Sequence, residues 1–246
     1  MITKRIIDEK GIDQTEDTVL VLGYFDGLHK GHQALFEKAR EIATEQGLKI
    51  AVLTFPESPK LAFVRYQPEL MLHLASPEDR MAQLESLGVD YLYLIDFTSH
   101  FAGNTARDFF EKYVSRLRAK AVVAGFDYHF GSDRKESHEL RDYFNGKIVI
   151  VPSVNLDNRK ISSTRIRETI AVGDMLKTQE LLGYPLSTRG IVVHGNARGR
   201  TIGYPTANLA PLDRVLLPGD GVYVADVEHN GQRYRGMASV GKNVTF

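Results

Sequence analysis

The stretch Val21–His32, VLGYFDGLHKGH, constrains the fold of this 246-residue chain more than any other. Val19–Leu22 is a short apolar run with β-branched residues, stopped by Gly23, and it reads as a buried strand. A loop carrying glycines and two histidines follows, and a helical pattern then runs from about Gly31 to Gln46. A strand, a glycine-punctuated turn and a helix start aim backbone N–H groups and a positive dipole end at one point, which suits phosphate. His29 and His32 are three apart, and Gly31 between them has no Cβ to keep a nucleotide from the backbone. The plainer alternative is a surface turn whose histidines solvate a helix N-terminus. A zinc site is a weak competitor, because two histidines without cysteines or clustered carboxylates fall short of its ligand set.

The flanking pattern sets the architecture. Residues 2–7 suit a short edge strand, Leu35, Phe36, Ala39, Ile42 and Ala43 repeat at helical spacing, and Gly47 stops that helix. Lys49–Phe55 is a second core strand, so strand, helix and strand form a βαβ unit with a parallel sheet and a right-handed crossover. Ser76–Gly88 reads as a helix with Ser at its cap and Pro at its first position. Further strands fall at Val89–Ile95, Lys120–Gly125 and Lys147–Val151, with a helix capped by Asn104 running to Leu117. This alternation predicts a doubly wound α/β sheet, whose ligands bind beyond the carboxyl ends of the strands. Gly23–His32, Thr54–Pro59 and Gly125–Gly131 all fall at such ends. TFPESPKLAF, from Thr54, is either part of that site or a proline-rich strand exit. GFDYHFG, Gly125–Gly131, is either a site loop or a hydrophobic plug with Phe126 and Phe130 in the core.

Ile161–Ile170, ISSTRIRETI, is a second candidate phosphate element. Ser162, Ser163 and Thr164 at a helix start usually mean capping. Arg165 and Arg167 crowd the same end, where the macrodipole disfavours cations unless an anion sits among them. Asp174–Gly183 is a further helix, and Tyr184-Pro185 marks a domain boundary. Beyond it the pattern turns to β-type alternation at Gly190–His194, Gly221–Glu228 and Gln232–Val240, with turns at Pro218–Gly221 and His229–Gly231. A small antiparallel β-barrel is the expected fold there.

Lys+Arg and Asp+Glu both number 31, so no global charge favours nucleic acid or an anionic membrane surface, although a local phosphate site remains open. With no cysteine, disulfides, thiolate catalysis and Cys-bearing zinc sites are excluded. No run of about 18 apolar residues occurs, and a cytoplasmic location is expected.

Gly23, Phe25, Asp26, Gly27, His29, Gly31 and His32 fit the pattern GxFDGxHxGH, which resembles the HxGH nucleotidyltransferases in the form found in bacterial FAD synthetases. ISSTRIR is similar to the ISSTxIR signature of the same family, and the two motifs stand in the right order about 130 residues apart. The resemblance implies a Rossmann-like domain over residues 1–184 that joins ATP and FMN into FAD and pyrophosphate with Mg2+. His29, His32, Ser163, Thr164 and Arg167 would then be catalytic, with the second cluster on the β- and γ-phosphates. Gly23, Phe25, Asp26 and Gly31 would bind ATP, and Phe55, Pro56, Pro59 and Asp127 the flavin. The magnesium would be held on the triphosphate, with no protein-only metal site in this domain.

Gly190–Leu209, GIVVHGNARGRTIGYPTANL, resembles the riboflavin kinase module of the bifunctional FAD synthetases, and the likeness continues through GVYVADV to VGKNVTF. It implies that Gly195–Arg200 covers nucleotide phosphates and that Thr206 and Asn208 hold Mg2+ and phosphate, with riboflavin as a further substrate. Val244 stands where the family has Pro, and the family's kinase continues past the position of Phe246. The expectation is therefore an incomplete kinase-like domain over 185–246, a fragment or a remnant, that does not phosphorylate riboflavin. A bifunctional riboflavin kinase/FAD synthetase seen as a fragment, a non-catalytic flavin or nucleotide sensor, and an HxGH transferase with another acceptor are the alternative functions.

Overall fold

The computed structural model describes residues 1–195, 201, 203 and 206–241, which fall into two compact units. The first comprises Met1–Met71 and Pro77–Ser162. Its strands are β1 (Ile2–Ile6), β2 (Thr18–Leu22), β3 (Lys49–Thr54), β4 (Tyr91–Ile95), β5 (Ala119–Gly125), the short pair β6 (His129–Phe130) and β7 (Lys135–Glu136), β8 (Lys147–Val151), and the pair β9 (Asn155–Leu156) and β10 (Arg159–Lys160). Between them lie α1 (Lys30–Gln46), α2 (Pro77–Ser86), and the single-turn helices α3 (Ser99–Ala102) and α4 (Ala106–Phe109).

Six strands form one sheet in the order β1-β4-β3-β2-β5-β8, and every neighbouring pair is parallel. β2 has all five residues buried. Leu20 and Leu22 enter one core with Leu53, Tyr93, Phe101 and Tyr113, whereas Val19 and Val21 enter another with Phe36, Ala39, Val52 and Leu84. A strand covered on both faces has no polar side to show, which is why it reads as an unbroken apolar run. Sequence order reverses between β2 and β5, so the loops after these strands flank the switch point of the sheet.

The helix expected over Asn104–Leu117 is not continuous. Thr105, not Asn104, caps α4: its hydroxyl accepts from Asp108 N, and the Asp108 carboxylate accepts from Thr105 N, a complete capping box. Asn104 instead donates to His100 O and Phe101 O at 2.9 and 3.0 Å. The chain then widens into a π-helical turn over Phe110–Val114, with Phe109, Phe110, Tyr113 and Val114 all buried.

The second unit contains Leu72–Ser76 and the chain from Ser163 onward. Its elements are α5 (Ser163–Ala171), α6 (Met175–Leu182), β11 (Gly190–Val193), β12 (Asn208–Pro211), β13 (Gly221–His229) and β14 (Gln232–Val240). Asp174 caps α6 by accepting from Lys177 N at 2.9 Å, and Gly183 ends it at φ +90°. β11 pairs antiparallel with β12, and β13 with β14 through Asn230 and Gly231, both at positive φ as a two-residue hairpin turn requires. Tyr223 ties the hairpin back by donating to Gly219 O, and Gly219 N donates to Ile170 O at 3.0 Å.

Candidate functional site

The loop after β2 is held by an aromatic floor. Phe25, 1 % exposed, takes a left-handed φ of 59°, and a Cβ on Gly23 would lie 2.7 Å from its ring. Its ring meets that of His32 edge-on at 5.3 Å and that of Phe36 at 5.2 Å. The residue after the loop is His29, which caps α1: its Nδ1 accepts from His32 N at 3.2 Å. A ring that accepts at Nδ1 carries its proton on Nε2. The His29 and His32 rings stack at 3.7 Å with planes 13° apart. His29 is 5 % exposed, and burial pushes it down to about 4 against the pull of Asp26 and Asp127. Burial also pushes His32 well below the usual imidazole value, reinforced by His29, Arg80 and Lys160. Two neutral imidazoles thus sit at the first turn of a helix of 17 residues, each able to donate one hydrogen bond to an anion.

Gly31 lies close against the His29 ring. A Cβ there would lie 3.1 Å from His29 Cε1 and Nδ1 and 3.5 Å from Ile161 O. The same contact shows that the Ile161 backbone, which leads into the Ser163 helix, lies against the HxGH turn. Lys160, just before it, pairs with Asp127 and sits 4.5 Å from the centre of the Phe126 ring. Phe126 is 44 % exposed and Phe130 only 4 %, so one aromatic of the Gly125–Gly131 loop is core and the other faces outward. Phe55 packs edge-on with Phe97 and Phe101, each at 5.5 Å, while Pro56 and Pro59 are half-buried.

Ser163 and Thr164 open α5 in the second unit, with Ser163 half-buried and Thr164 exposed. Arg167, one turn on, donates from Nη2 to Leu72 O at 2.6 Å, and Arg165 is buried. Thr206 and Asn208 are exposed. The Asn208 amide occupies the space a Cβ on Gly195 would need, so the start of the glycine-rich stretch touches the Asn of PTAN. Residues 196–200 of that stretch, and Val244, lie outside the described residues. Among the described residues no three His, Cys, Asp or Glu form a metal-binding group.

The FAD synthetase family model matches residues 11–165, and the riboflavin kinase model matches residues 182–246. The bifunctional riboflavin kinase/FMN adenylyltransferase of Listeria monocytogenes is 40 % identical over 231 residues, 93 % of this chain and 73 % of that protein. The protein of that name from Bacillus subtilis is 37 % identical over 237 residues, 95 % of this chain and 75 % of the relative. The chain belongs to the bifunctional riboflavin kinase/FMN adenylyltransferase family. A crystal structure from Streptococcus pneumoniae described as a macrolide-efflux protein is 56 % identical, covering 100 % of this chain and 81 % of that one with a TM-score of 0.96. Among the described residues no helix is long and apolar enough to cross a membrane. The match over 182–246 corrects the expectation of a kinase remnant: both family modules are present.

Two cations that act on His32, Lys160 and Arg80, belong to neither motif. Lys160 is the residue before ISSTRIR, and its proximity to Asp127 depends on a fold that brings positions 33 apart together. Arg80 lies on α2, where a charged residue in a polar helix reads as solvated; it is in fact 8 % exposed. No local sequence signal marks it.

Proposed function

We propose that this protein transfers the adenylyl group of ATP to FMN. An FMN phosphate oxygen attacks the α-phosphorus, a new P–O bond forms, and the bond to the β-phosphate oxygen breaks with pyrophosphate carrying away the electron pair. The observation that carries this reading is the buried, neutral His29–His32 stack at the N-terminus of α1, beside the switch point of a parallel sheet. No covalent nucleophile is required. The reaction asks for alignment of two anions and for donors aimed at the charge that builds on the phosphoryl oxygens. His29 Nε2–H and the His32 ring donate to the triphosphate, and approach of that anion favours their protonated forms as charge develops. Gly31 leaves room for the nucleotide, with Gly23, Phe25 and Asp26 shaping the loop. Ser163, Thr164 and Arg167 hold the β- and γ-phosphates, the guanidinium in a bidentate fork. Phe55, Pro56, Pro59 and Asp127 form the flavin side.

Magnesium would be carried on the triphosphate oxygens, with water completing its shell. When bound it neutralises triphosphate charge. Riboflavin phosphorylation belongs to residues 185–246, folded as a small antiparallel barrel in which Thr206 and Asn208 hold metal and phosphate. The match of the kinase family model favours this second activity. The reading sets the catalytic boundary at 184/185 and the protein in the cytoplasm.

The test is chromatography of flavins after incubation with Mg-ATP and either FMN or riboflavin. FAD formed from FMN supports the adenylyltransferase, and FMN formed from riboflavin supports the kinase; binding without turnover would make the protein a sensor. His32→Ala should retain the fold and lower FAD formation about a hundredfold, the loss of about 3 kcal/mol typical of one transition-state donor. Near-normal turnover would remove His32 from the mechanism.

A further inference from the structure

Arg80 is a buried cation that reaches two loops at once. Its Nη1 donates to Phe55 O at 2.9 Å, and its Nη2 donates to Tyr24 O and to Thr54 Oγ1. Thr54 Oγ1 in turn donates to Tyr24 O at 2.9 Å. The guanidinium carbon lies 5.1 Å from the centre of the Tyr24 ring. Tyr24 belongs to the loop that ends in His29, and Phe55 opens the loop of Pro56 and Pro59. These loops follow β2 and β3, which are neighbours in the sheet. Burial pushes the guanidinium down from its usual value, while Tyr24, Asp26 and Glu57 pull it back. An apolar side chain there would take this donor from the buried Phe55 carbonyl, so the position calls for a side chain that donates to both loops.

We propose that Arg80 is a positioning residue that latches the histidine loop to the Phe55 loop, holding nucleotide and flavin in register for transfer. The proposal rests on the adenylyltransferase reading above. A planar fork can hold two carbonyls and a hydroxyl together, whereas a lysine ammonium is a point donor on a flexible stem. Loosening such a latch misplaces reacting groups more than it removes contacts to either substrate, and misplacement is felt in the chemical step.

The test is steady-state FAD formation by the full chain and its Arg80→Lys, Thr54→Val and double variants, with thermal melting to check folding. Each single variant should lower kcat about tenfold or more while KM for ATP and for FMN stays within about threefold. The double variant should lose little beyond the worse single, because both changes open the same latch. Unchanged kcat in Arg80→Lys, a loss confined to KM, or a double loss equal to the product of the singles would overturn the proposal. Should Arg80→Lys fail to fold, the kcat-against-KM split in Thr54→Val decides it. An unmodified protein that makes no FAD refutes the adenylyltransferase reading itself; an active one whose folded variants match it refutes only the latch.

Discussion

His29 shows how a buried imidazole ties stability to pH. Its neutral form is favoured in the folded protein, with the titration pushed down to about 4, while the unfolded chain titrates near 6.5. Between these values the unfolded state binds a proton that the folded state does not, so stability falls as pH drops. The expected loss from His29 alone is about 3 kcal/mol, complete near pH 4, with His32 adding to it in the same direction. Urea melts of the protein and of His29→Gln across this window check it: the variant should show a shallower slope, and parallel slopes would show that His29 is not buried neutral. Gly31→Ala separates stability from chemistry. Alanine favours a helix by about 1 kcal/mol over glycine, yet its Cβ would press on the His29 ring at 3.1 Å. The expected result is a melting temperature no lower than that of the parent with FAD formation reduced about tenfold or more. The motif residues were legible because their types and spacing are local. Arg80 was not, since its burial depends on loops that are distant in sequence.

Elements were legible where a single face or a single cap decides them. β2 reads correctly because both of its faces are covered, and α6 because Asp174 and Gly183 bracket it. The Asn104–Leu117 stretch was misread because Asn104 and Thr105 are both good caps, and only the complete box with Asp108 selects the second. The π turn that follows has no local sequence signature: its Phe110 and Tyr113 pack on Phe101, Phe130, Tyr143 and Phe144, which lie outside the stretch. The Asn230-Gly231 turn is the element most exposed to substitution. Gly231 sits at φ +74°, so Gly231→Ala should cost about 1 kcal/mol, read as a lower urea midpoint with the same slope. An unchanged midpoint would mean that this hairpin does not limit stability.

At the scale of the molecule, the parallel sheet followed by antiparallel strands was legible from the switch in periodicity, and the two family models match residues 11–165 and 182–246. The second module matches its family model over residues 182–246, where a remnant was expected from residues near Phe246. The proposed function has the imidazole pair of α1 and the hydroxyl–guanidinium cluster of α5 serving a single ATP. The most direct measurement is a crystal structure with Mg2+ and an ATP analogue carrying a methylene between its α- and β-phosphorus atoms. The account requires one triphosphate in hydrogen-bond contact with His29 or His32 on one side and with Ser163, Thr164 or Arg167 on the other. A triphosphate bound to only one of these clusters, with the other facing solvent, would contradict it.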